Sequence, residues 1–309
     1  MTAWRPYAHV HGPDHTVSGT VLVWPRLAGA DAIAGREIVV YLPPSLAARG
    51  PERMAAGPRY PVLYFHDGQN VFDARTSFVG EWRADEALEA LAAEGYEAIA
   101  VVGHGHGDCL VALGGERRMD EYNPWYGPEP FGRGRRMMGG AGDAYLDWLV
   151  RSVKPLIDES FPTRREREAT GLVGSSMGGL ISLYGLIAQP DTFGLAGVLS
   201  PSIGWSNYRV LKLIERGALP PARIHLDMGG REWRGMLSDA RRLRDALVGQ
   251  GWVEGRDLHY VEERYAAHRE SAWARRLPDA LRFLLAPFSQ PSGGRARAVP
   301  AGPDAQPSP

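Results

Sequence analysis

Short apolar runs alternate with longer amphipathic segments from about residue 60 to residue 286. Most of the runs carry no charge, which is typical of strands buried on both faces of a parallel sheet. They cover residues 62–65, 98–102, 171–173, 197–199, 224–228 and 258–261. Between them, apolar residues recur at helical spacing in residues 82–93, 143–161, 178–188, 237–249 and 273–284. This alternation predicts an α/β fold, with a mostly parallel central sheet and helices on both faces.

The two ends of the chain differ from this pattern. Residues 19–24 and 36–41 are strand-like with no helical segment between them, so we expect an antiparallel pair at the edge of the same sheet. From residue 290 onward the chain consists largely of Pro, Gly, Ser, Ala and Arg, which cannot build a core. We therefore predict one domain over residues 1–289 and a disordered tail over residues 290–309.

Two interruptions stand inside the domain. Pro155 lies within the third helical segment and is expected to kink that helix or end it early. Residues 103–142 are irregular and rich in glycine and aromatic residues. A long irregular segment in a compact domain is uncommon unless it shapes a site, so we interpret it as an insertion over the functional site.

Composition adds mainly exclusions. The 309 residues are 44% hydrophobic and 23% charged, and 35 basic residues nearly balance 36 acidic ones. This balance gives no electrostatic reason to expect nucleic acid or an anionic membrane as a partner. The single cysteine, Cys109, excludes an intrachain disulfide and is expected to be an inert thiol. The amino terminus does not resemble a signal peptide and no apolar run reaches the ~20 residues that span a bilayer, so we expect a cytoplasmic protein.

The clearest chemical motif is Gly174-Ser-Ser-Met-Gly178, which matches the G-x-S-x-G nucleophile elbow of α/β-hydrolases. The motif follows a predicted strand and precedes a predicted helix, and this setting makes the match specific. The flanking glycines permit a tight turn that exposes the serine, while the helix amino terminus favours a developing anion. Ser176 is therefore the candidate nucleophile of an α/β-hydrolase.

A serine nucleophile needs a base, and His268 is the best-placed histidine. It lies in a short loop after the last predicted strand, whereas His225 and His259 lie within predicted strands. In α/β-hydrolases the nucleophile, the acid and the histidine follow one another along the chain. Ser176 and His268 fit the first and last places in that order.

The acid is expected after the strand at residues 224–228. Glu232 lies in the loop beyond that strand, where a carboxylate can reach the far nitrogen of the histidine. Asp227, within the strand, and Asp239, farther along, are the alternatives. We favour Glu232.

An oxyanion hole requires two backbone N–H groups directed at the same oxygen. Met177, directly after the nucleophile, is expected to supply one of them. The turn after the strand at residues 62–65 is expected to supply the other through the amide of Gln69.

The chain resembles the Putative esterase family of α/β-hydrolases, which includes enterochelin-esterase-like, feruloyl-esterase-like, esterase D-like and mycolyltransferase-type proteins. The resemblance runs from about residue 61 to residue 285, and the enterochelin-esterase-like branch looks most similar. It rests on the segments 60–70, 120–125, 174–180, 199–202 and 229–232 and on His268. The stretch 103–118 is longer and richer in glycine than is usual in the family.

The resemblance implies a Ser176–His268–Glu232 triad, with the Gln69 amide in the oxyanion hole. It implies a serine carboxylic-ester hydrolase that acts on a small-molecule ester through an acyl-enzyme and requires no cofactor. Acyl transfer by the same triad is an alternative, and a catalytically silent binding protein is another.

Other residues suggest weaker candidates. His104 and His106, with Asp108 nearby, could bind a metal, but their spacing is unusual and no third ligand is evident, so we expect no metal site. Several arginines could bind an anionic substrate or could simply be solvated: Arg117, Arg118, Arg133, Arg135 and Arg136. The substrate-binding candidates are one acidic residue and three indoles, for which core packing is the competing interpretation: Asp67, Trp82, Trp125 and Trp205.

Overall fold

A computed structural model describes residues 3–30, 33, 35–49, 57–104, 116–128 and 137–289 of the chain. The predicted tail and Cys109 lie outside these residues, as do His106, Asp108 and the arginines at positions 133, 135 and 136.

A nine-stranded sheet forms the centre of the molecule. In chain order, the described strands are β1 (Arg5–Pro6), β2 (Thr20–Leu27), β3 (Arg36–Leu42), β4 (Val62–Phe65), β5 (Ile99–His104), β6 (Gly127–Pro128), β7 (Met137–Met138), β8 (Thr170–Ser175), β9 (Leu195–Leu199), β10 (Arg223–Gly229) and β11 (Leu258–Glu263). The sheet order is β1-β2-β3-β5-β4-β8-β9-β10-β11, while β6 and β7 pair separately. Within this sheet, β1 to β3 are antiparallel and β3 is antiparallel to β5. The neighbouring strands in the remaining order β5-β4-β8-β9-β10-β11 are all parallel. This arrangement confirms the predicted mostly parallel sheet with an antiparallel amino-terminal edge.

Helices connect the strands. They are α1 (Tyr7–His11), α2 (Pro44–Ala47), α3 (Ala84–Ala93), α4 (Glu116–Glu121), α5 (Gly142–Trp148), α6 (Lys154–Ser160), α7 (Met177–Ala188), α8 (Trp205–Glu215), α9 (Met236–Gly249) and α10 (Glu270–Leu285). Within the described ranges, no helix is both long enough and apolar enough to cross a lipid bilayer.

The predicted kink at Pro155 takes a specific form. Helices α5 and α6 are joined by a π-helical turn at Leu149–Val153, and Pro155 lies in the first turn of α6. Proline is tolerated there because the first N–H groups of a helix have no intrahelical acceptor. The chain therefore remains helical through this segment, and the irregularity is confined to the π turn.

The sheet separates two apolar cores. One contains the inward faces of α5 to α9 and the other those of α3 and α10. Leu146, Leu180 and Leu243 are fully buried in the first core, and Leu88 and Leu281 are buried in the second. The predicted helices on both faces of the sheet are thus observed.

Four helices have no counterpart in the sequence prediction: α1, α2, α4 and α8. Helix α4 has six residues and lies within residues 103–142, which the sequence pattern predicted to be irregular. Helices α1 and α2 have only five and four residues, too few for helical periodicity to be visible. Helix α8 is interrupted near its start, where Ser206, Asn207 and Tyr208 have left-handed backbone angles with φ of 52°, 57° and 58°.

Candidate active site

Ser176 lies in the sharp turn between β8 and α7. Its backbone is strained, with φ 57° and ψ −117°, and its N–H donates to the carbonyl of Leu199 at 3.0 Å. Gly174 makes this turn possible, because a Cβ at that position would lie 2.6 Å from the backbone of Gly178. The Oγ of Ser176 is 3.1 Å from the Oγ of Ser202. The serine therefore stands on the strained strand-to-helix turn that the motif predicts.

The topology brings the other candidate residues to the same edge of the sheet. Strands β8, β9, β10 and β11 are consecutive parallel neighbours, so their carboxyl ends lie side by side. Ser176 follows the first of them, Ser200 and Ser202 follow the second, Glu232 follows the third and His268 follows the fourth. In open α/β sheets this edge is where ligands bind.

Glu232 and His268 form a close, buried pair. The Nδ1 of His268 lies 2.5 Å from the Oε2 of Glu232, and the two side chains are 8% and 1% exposed, respectively. The other carboxylate oxygen, Oε1, accepts the N–H of Gly229 at 3.0 Å and the hydroxyl of Ser200. A carboxylate held by three partners fixes the orientation of the imidazole it faces.

Asp227 and Asp239, the alternative acids, have other partners. Asp227 is fully buried and lies 2.9 Å from Arg276, and its Oδ2 is 3.3 Å from the Nε2 of His225. Burial acts to raise the pKa of Asp227, but the bond with His225 and the charge of Arg276 hold that pKa below its ordinary value. Asp239 accepts the hydroxyl of Tyr208 at 3.2 Å.

Glu232 and His268 are carried by two loops that are hydrogen-bonded to each other. The N–H of Gly230 donates to the carbonyl of Glu263 and the N–H of Arg231 to that of Ala266, each at 2.9 Å. A Cβ on Gly229 would lie 2.5 Å from the Ala266 carbonyl oxygen, so only glycine permits this approach. The double glycine before Glu232 thus allows the acid's loop to pack directly on the histidine's loop.

The hydroxyl of Ser200 joins Glu232 to two further side chains through hydrogen bonds. The Oγ of Ser200 accepts the Nε1–H of Trp273 at 3.0 Å and an N–H of Arg276 at 2.8 Å, while its own hydroxyl is bonded to Glu232. Trp273 also contacts His268 edge-on, with ring centroids 4.9 Å apart. Ser200 therefore links Glu232 to Trp273, which packs against the ring of His268.

The turn after β4 is the candidate source of the second oxyanion amide. Asp67 has a left-handed backbone (φ 56°) and introduces a 3₁₀ turn, Gly68–Asn70, that contains Gln69. Strands β4 and β8 are paired, so this turn lies next to the nucleophile elbow. A Cβ on Gly178 would be 3.5 Å from the Oδ2 of Asp67, which shows how closely the turn approaches the start of α7, where Met177 lies.

Asp67 itself is held by Arg118 of α4. The guanidinium contacts both carboxylate oxygens of Asp67. Its Nε lies 2.5 Å from Oδ1, and its Nη2 lies 2.8 Å from Oδ2. The Asp67 backbone N–H donates to the hydroxyl of Tyr122 at 2.9 Å, and the Arg118 guanidinium lies over that ring. Arg118 and Tyr122 thereby hold in place the turn after β4, which carries Gln69.

His66 lies beneath the elbow, between this turn and α7. Its side chain is buried, with Nδ1 2.9 Å from the Tyr145 hydroxyl, and Nε2 finds no hydrogen-bond partner in the described part of the chain. Burial lowers the pKa of His66 from its ordinary value near 6.5 to about 3. The ring is therefore neutral at physiological pH.

This burial predicts a loss of stability in mild acid. Because unfolded His66 takes up a proton below about pH 6.5 and folded His66 does so only near pH 3, stability falls across that interval by up to about 1.4 kcal/mol per pH unit. We expect urea unfolding to show about 2 kcal/mol of His66-dependent loss between pH 7 and pH 5. His66→Gln should lose correspondingly less over that range, whereas exposed His9→Gln should follow the wild type. Equal losses of unfolding free energy between pH 7 and pH 5 in the wild type and His66→Gln would contradict the lowered pKa of His66.

The aromatic candidates fall in different environments. Trp82 and Trp205 are only 1% and 2% exposed and belong to the two apolar cores, so they pack in the interior and do not form a substrate-binding surface in this structure. Trp82 packs against Trp273, with centroids 5.9 Å apart. Trp125 is half-buried and contacts Tyr184 edge-on.

An aromatic residue that the sequence did not single out lies on the site instead. Trp233 is 54% exposed and stacks on His268, with centroids 4.4 Å apart and an interplanar angle of 26°. In the sequence, the signal that Trp233 lies near the candidate site was its position directly after Glu232. Ser200 and Ser202 were visible in the motif at residues 199–202, but nothing in the sequence indicated that their hydroxyls contact the acid and the nucleophile.

A cavity of about 550 Å³ lies elsewhere, at the amino ends of the strands. Its lining includes Leu195, Arg223, Trp252 and Phe288. Leu195 and Arg223 begin β9 and β10, so this cavity is at the opposite edge of the sheet from Ser176. Its position gives it no part in the chemistry of the elbow.

Comparisons with known proteins show the family and the fold of the chain. Residues 35–284 match the model of the family described as Putative esterase. The chain is 27% identical over 258 residues to "Uncharacterized protein YbbA" of Bacillus subtilis, covering 81% of this chain and 92% of that protein. It is 32% identical over 152 residues to the siderophore triacetylfusarinine C esterase of Aspergillus fumigatus; the match covers 49% of this chain and about half (47%) of that esterase. The siderophore hydrolase EstA of Aspergillus nidulans has a similar fold, with a TM-score of 0.64 at 22% identity over 86% of this chain and 95% of that chain.

Proposed function

Because this chain belongs to the Putative esterase family and is a serine esterase-type hydrolase, we propose that it cleaves small-molecule carboxylic esters through an acyl-enzyme on Ser176. The observation that carries the proposal is the 2.5 Å contact between Glu232 and the Nδ1 of His268, at the same sheet edge as the strained Ser176. Glu232, His268 and Ser176 then act as acid, base and nucleophile.

In the first half-reaction the Ser176 oxygen attacks the ester carbonyl carbon while the Nε2 of His268 takes the hydroxyl proton. The tetrahedral intermediate collapses by breaking the bond to the alcohol oxygen. His268 gives its proton to that oxygen, and the alcohol leaves. The carboxylate of Glu232 stabilises the imidazolium through its contact with Nδ1.

In the second half-reaction water attacks the acyl-enzyme and His268 takes one of its protons. Collapse of the second tetrahedral intermediate releases the carboxylic acid and returns the proton to Ser176. The backbone amides of Gln69 and Met177 stabilise the oxyanion in both halves, and each is worth about 3 kcal/mol of barrier. The Arg118–Asp67 pair positions the turn that carries Gln69.

We propose esters of the siderophore class as the substrate. The Aspergillus fumigatus relative is named for such an ester, and EstA, which has a similar fold, is named as a siderophore hydrolase. Two features of this chain are suited to a large planar ligand beside the base. The exposed face of Trp233 offers a stacking surface, and Arg118, 28% exposed at the oxyanion turn, offers a cation.

A substrate panel tests both levels of the proposal. We expect wild-type protein to hydrolyse p-nitrophenyl butyrate and to cleave triacetylfusarinine C or enterobactin with a kcat/KM at least about 10-fold higher. Trp233→Ala should lower the kcat/KM for enterobactin about 10-fold and that for the aliphatic ester ethyl butyrate much less, because only enterobactin carries aromatic rings that can stack on the indole.

Exposed Trp233 has a matched control in Tyr265→Ala, which removes another exposed aromatic residue from a neighbouring loop. Equal losses on both substrates in Trp233→Ala would contradict the substrate class while leaving ester hydrolysis intact. Absence of turnover on every ester would contradict the function itself. Product analysis with added alcohol separates hydrolysis from acyl transfer.

A further inference from the structure

A second cluster of chemically reactive side chains lies at the antiparallel edge of the sheet, outside the proposed triad. It consists of His11, Glu37 and His104, which come from α1, β3 and β5. The Nε2 of His11 is 2.8 Å from the Oε1 of Glu37, and the Nδ1 of His104 is 3.0 Å from that same oxygen. Two imidazole nitrogens from distant parts of the chain therefore converge on one carboxylate oxygen.

We propose that His11, Glu37 and His104 form a binding site for a divalent transition-metal ion of the zinc class. One donor atom from each residue lies within 4.8 Å of the others. In a tetrahedral site with bonds of 2.0–2.2 Å, ligand atoms are about 3.3 Å apart, so an outward shift of about 0.3–0.5 Å opens the cluster around an ion. Two imidazoles and one carboxylate are a ligand set that zinc uses, with a fourth position left for water.

The backbone preorganises two of the three ligands. Glu37 and His104 are direct partners in the antiparallel pairing of β3 and β5, which places their side chains on the same face of the sheet. Their side chains are 17% and 9% exposed, so the cluster is partly shielded from water. Rigid strand positions are better suited to holding metal ligands than loop positions are.

The third ligand is oriented by an aromatic stack. The ring of His11 stacks on Tyr7, with centroids 4.3 Å apart and an interplanar angle of 24°. Tyr7 is buried, and its hydroxyl donates to Asp73 at 2.9 Å. Tyr7 therefore fixes the side of α1 that faces the sheet, which is the side that presents the Nε2 of His11 to Glu37.

The site differs from the metal pair considered from the sequence. There the partner of His104 was its neighbour His106, and no third ligand could be identified. In the structure the partners of His104 lie far from it in the sequence and are brought to it by folding: His11 ends α1, before β2, and Glu37 is the second residue of β3. A bound ion would tie the amino-terminal helix to the sheet.

A bound ion would also restrain the turn at Gly68–Asn70, which carries Gln69. Gly103, the residue before His104, packs against Gly68, where a Cβ would lie 2.5 Å from the Gly103 carbonyl oxygen. Fixing the end of β5 thus restrains the backbone beside Gln69. The role of the metal is structural, since its ligands are not those of the proposed triad.

Titration of chelator-treated protein with Zn²⁺ against a competing dye tests the site. We expect one equivalent to bind to wild-type protein, and about 100-fold weaker binding to His11→Gln and Glu37→Gln. Co²⁺ should give the intense visible bands of a four-coordinate site in the wild type and lose them in both variants. His9→Gln, which removes an exposed histidine of the same helix, is the control and should bind like the wild type.

Thermal unfolding supplies a readout that does not depend on esterase activity. Zn²⁺ at 100-fold excess over its Kd should raise the Tm of the wild type and His9→Gln by about 5 °C, and leave that of His11→Gln unchanged. Wild-type-like Zn²⁺ affinity in both His11→Gln and Glu37→Gln would overturn the proposal, as would an equal loss of affinity in His9→Gln. Binding no tighter in the wild type than in His11→Gln would show a hydrogen-bonded cluster only.

Discussion

Replacing Ser176 with alanine should lower kcat/KM for p-nitrophenyl butyrate by about 10⁴-fold or more without unfolding the protein. The Ser176 hydroxyl is the proposed nucleophile, so its removal should abolish the covalent step. The variant should keep its Tm within a few degrees, because the Ser176 Oγ forms, among the described side chains, a single hydrogen bond, to the hydroxyl of Ser202. Steady-state kinetics and thermal unfolding on the same preparation measure both quantities.

The neighbouring serine provides a matched control. Ser175 precedes Ser176 in the same motif, but its side chain is buried at the end of β8. Ser175→Ala should therefore stay within about 10-fold of wild-type activity. A fluorophosphonate probe should label the wild type on the peptide that contains Ser176 and fail to label Ser176→Ala. Undiminished turnover by folded Ser176→Ala would refute the nucleophile assignment.

Glu232→Gln should lower kcat by about 10²- to 10⁴-fold. The amide keeps the size of the side chain and can still accept the N–H of Gly229, so the loop remains in place. It cannot offset the charge of an imidazolium, and it can donate to Nδ1, which favours the wrong tautomer of His268. The loss should therefore fall on kcat and leave the fold intact.

Asp227→Asn separates this effect from the loss of any buried carboxylate near the site. Asp227 is paired with Arg276, and breaking a buried pair costs about 3–5 kcal/mol of stability, so this variant should be less stable. Its kcat per folded molecule should stay within about 10-fold of the wild type. Asp239→Asn, which removes a half-buried carboxylate bonded to Tyr208, is a milder second control. A larger kcat loss in Asp227→Asn than in Glu232→Gln would make Asp227 the acid.

Much of the fold and the candidate site was predictable because each rests on local sequence. The strand at Val62–Phe65 was placed at its observed bounds, and α7 begins one residue from its predicted start. Uncharged β-branched runs and a G-x-S-x-G turn are local signals, so they survive without knowledge of the tertiary structure. The loop positions of Glu232 and His268 followed from strand order in the same way.

What could not be predicted depends on contacts between distant segments. Trp82 and Trp205 have the same side chain as Trp233, and only packing shows that the first two are interior and the third faces the base. Ser200 bonds with Glu232, Trp273 and Arg276, partners between 32 and 76 residues away. The cluster around Glu37 joins three separate elements. None of these relations has a periodic or short-range signature in the chain.

The hydrogen-bonded loops that carry Glu232 and His268 have a consequence for engineering. Gly230 and Arg231 bind the histidine's loop through main-chain atoms, so side chains exposed on either loop can be exchanged without cutting those bonds. Libraries at Trp233 would vary the surface proposed to meet a ligand, while the spacing of Glu232 and His268 stays fixed by the glycine pair. Substrate range in this scaffold is thus separable from catalytic competence, and it can be selected independently.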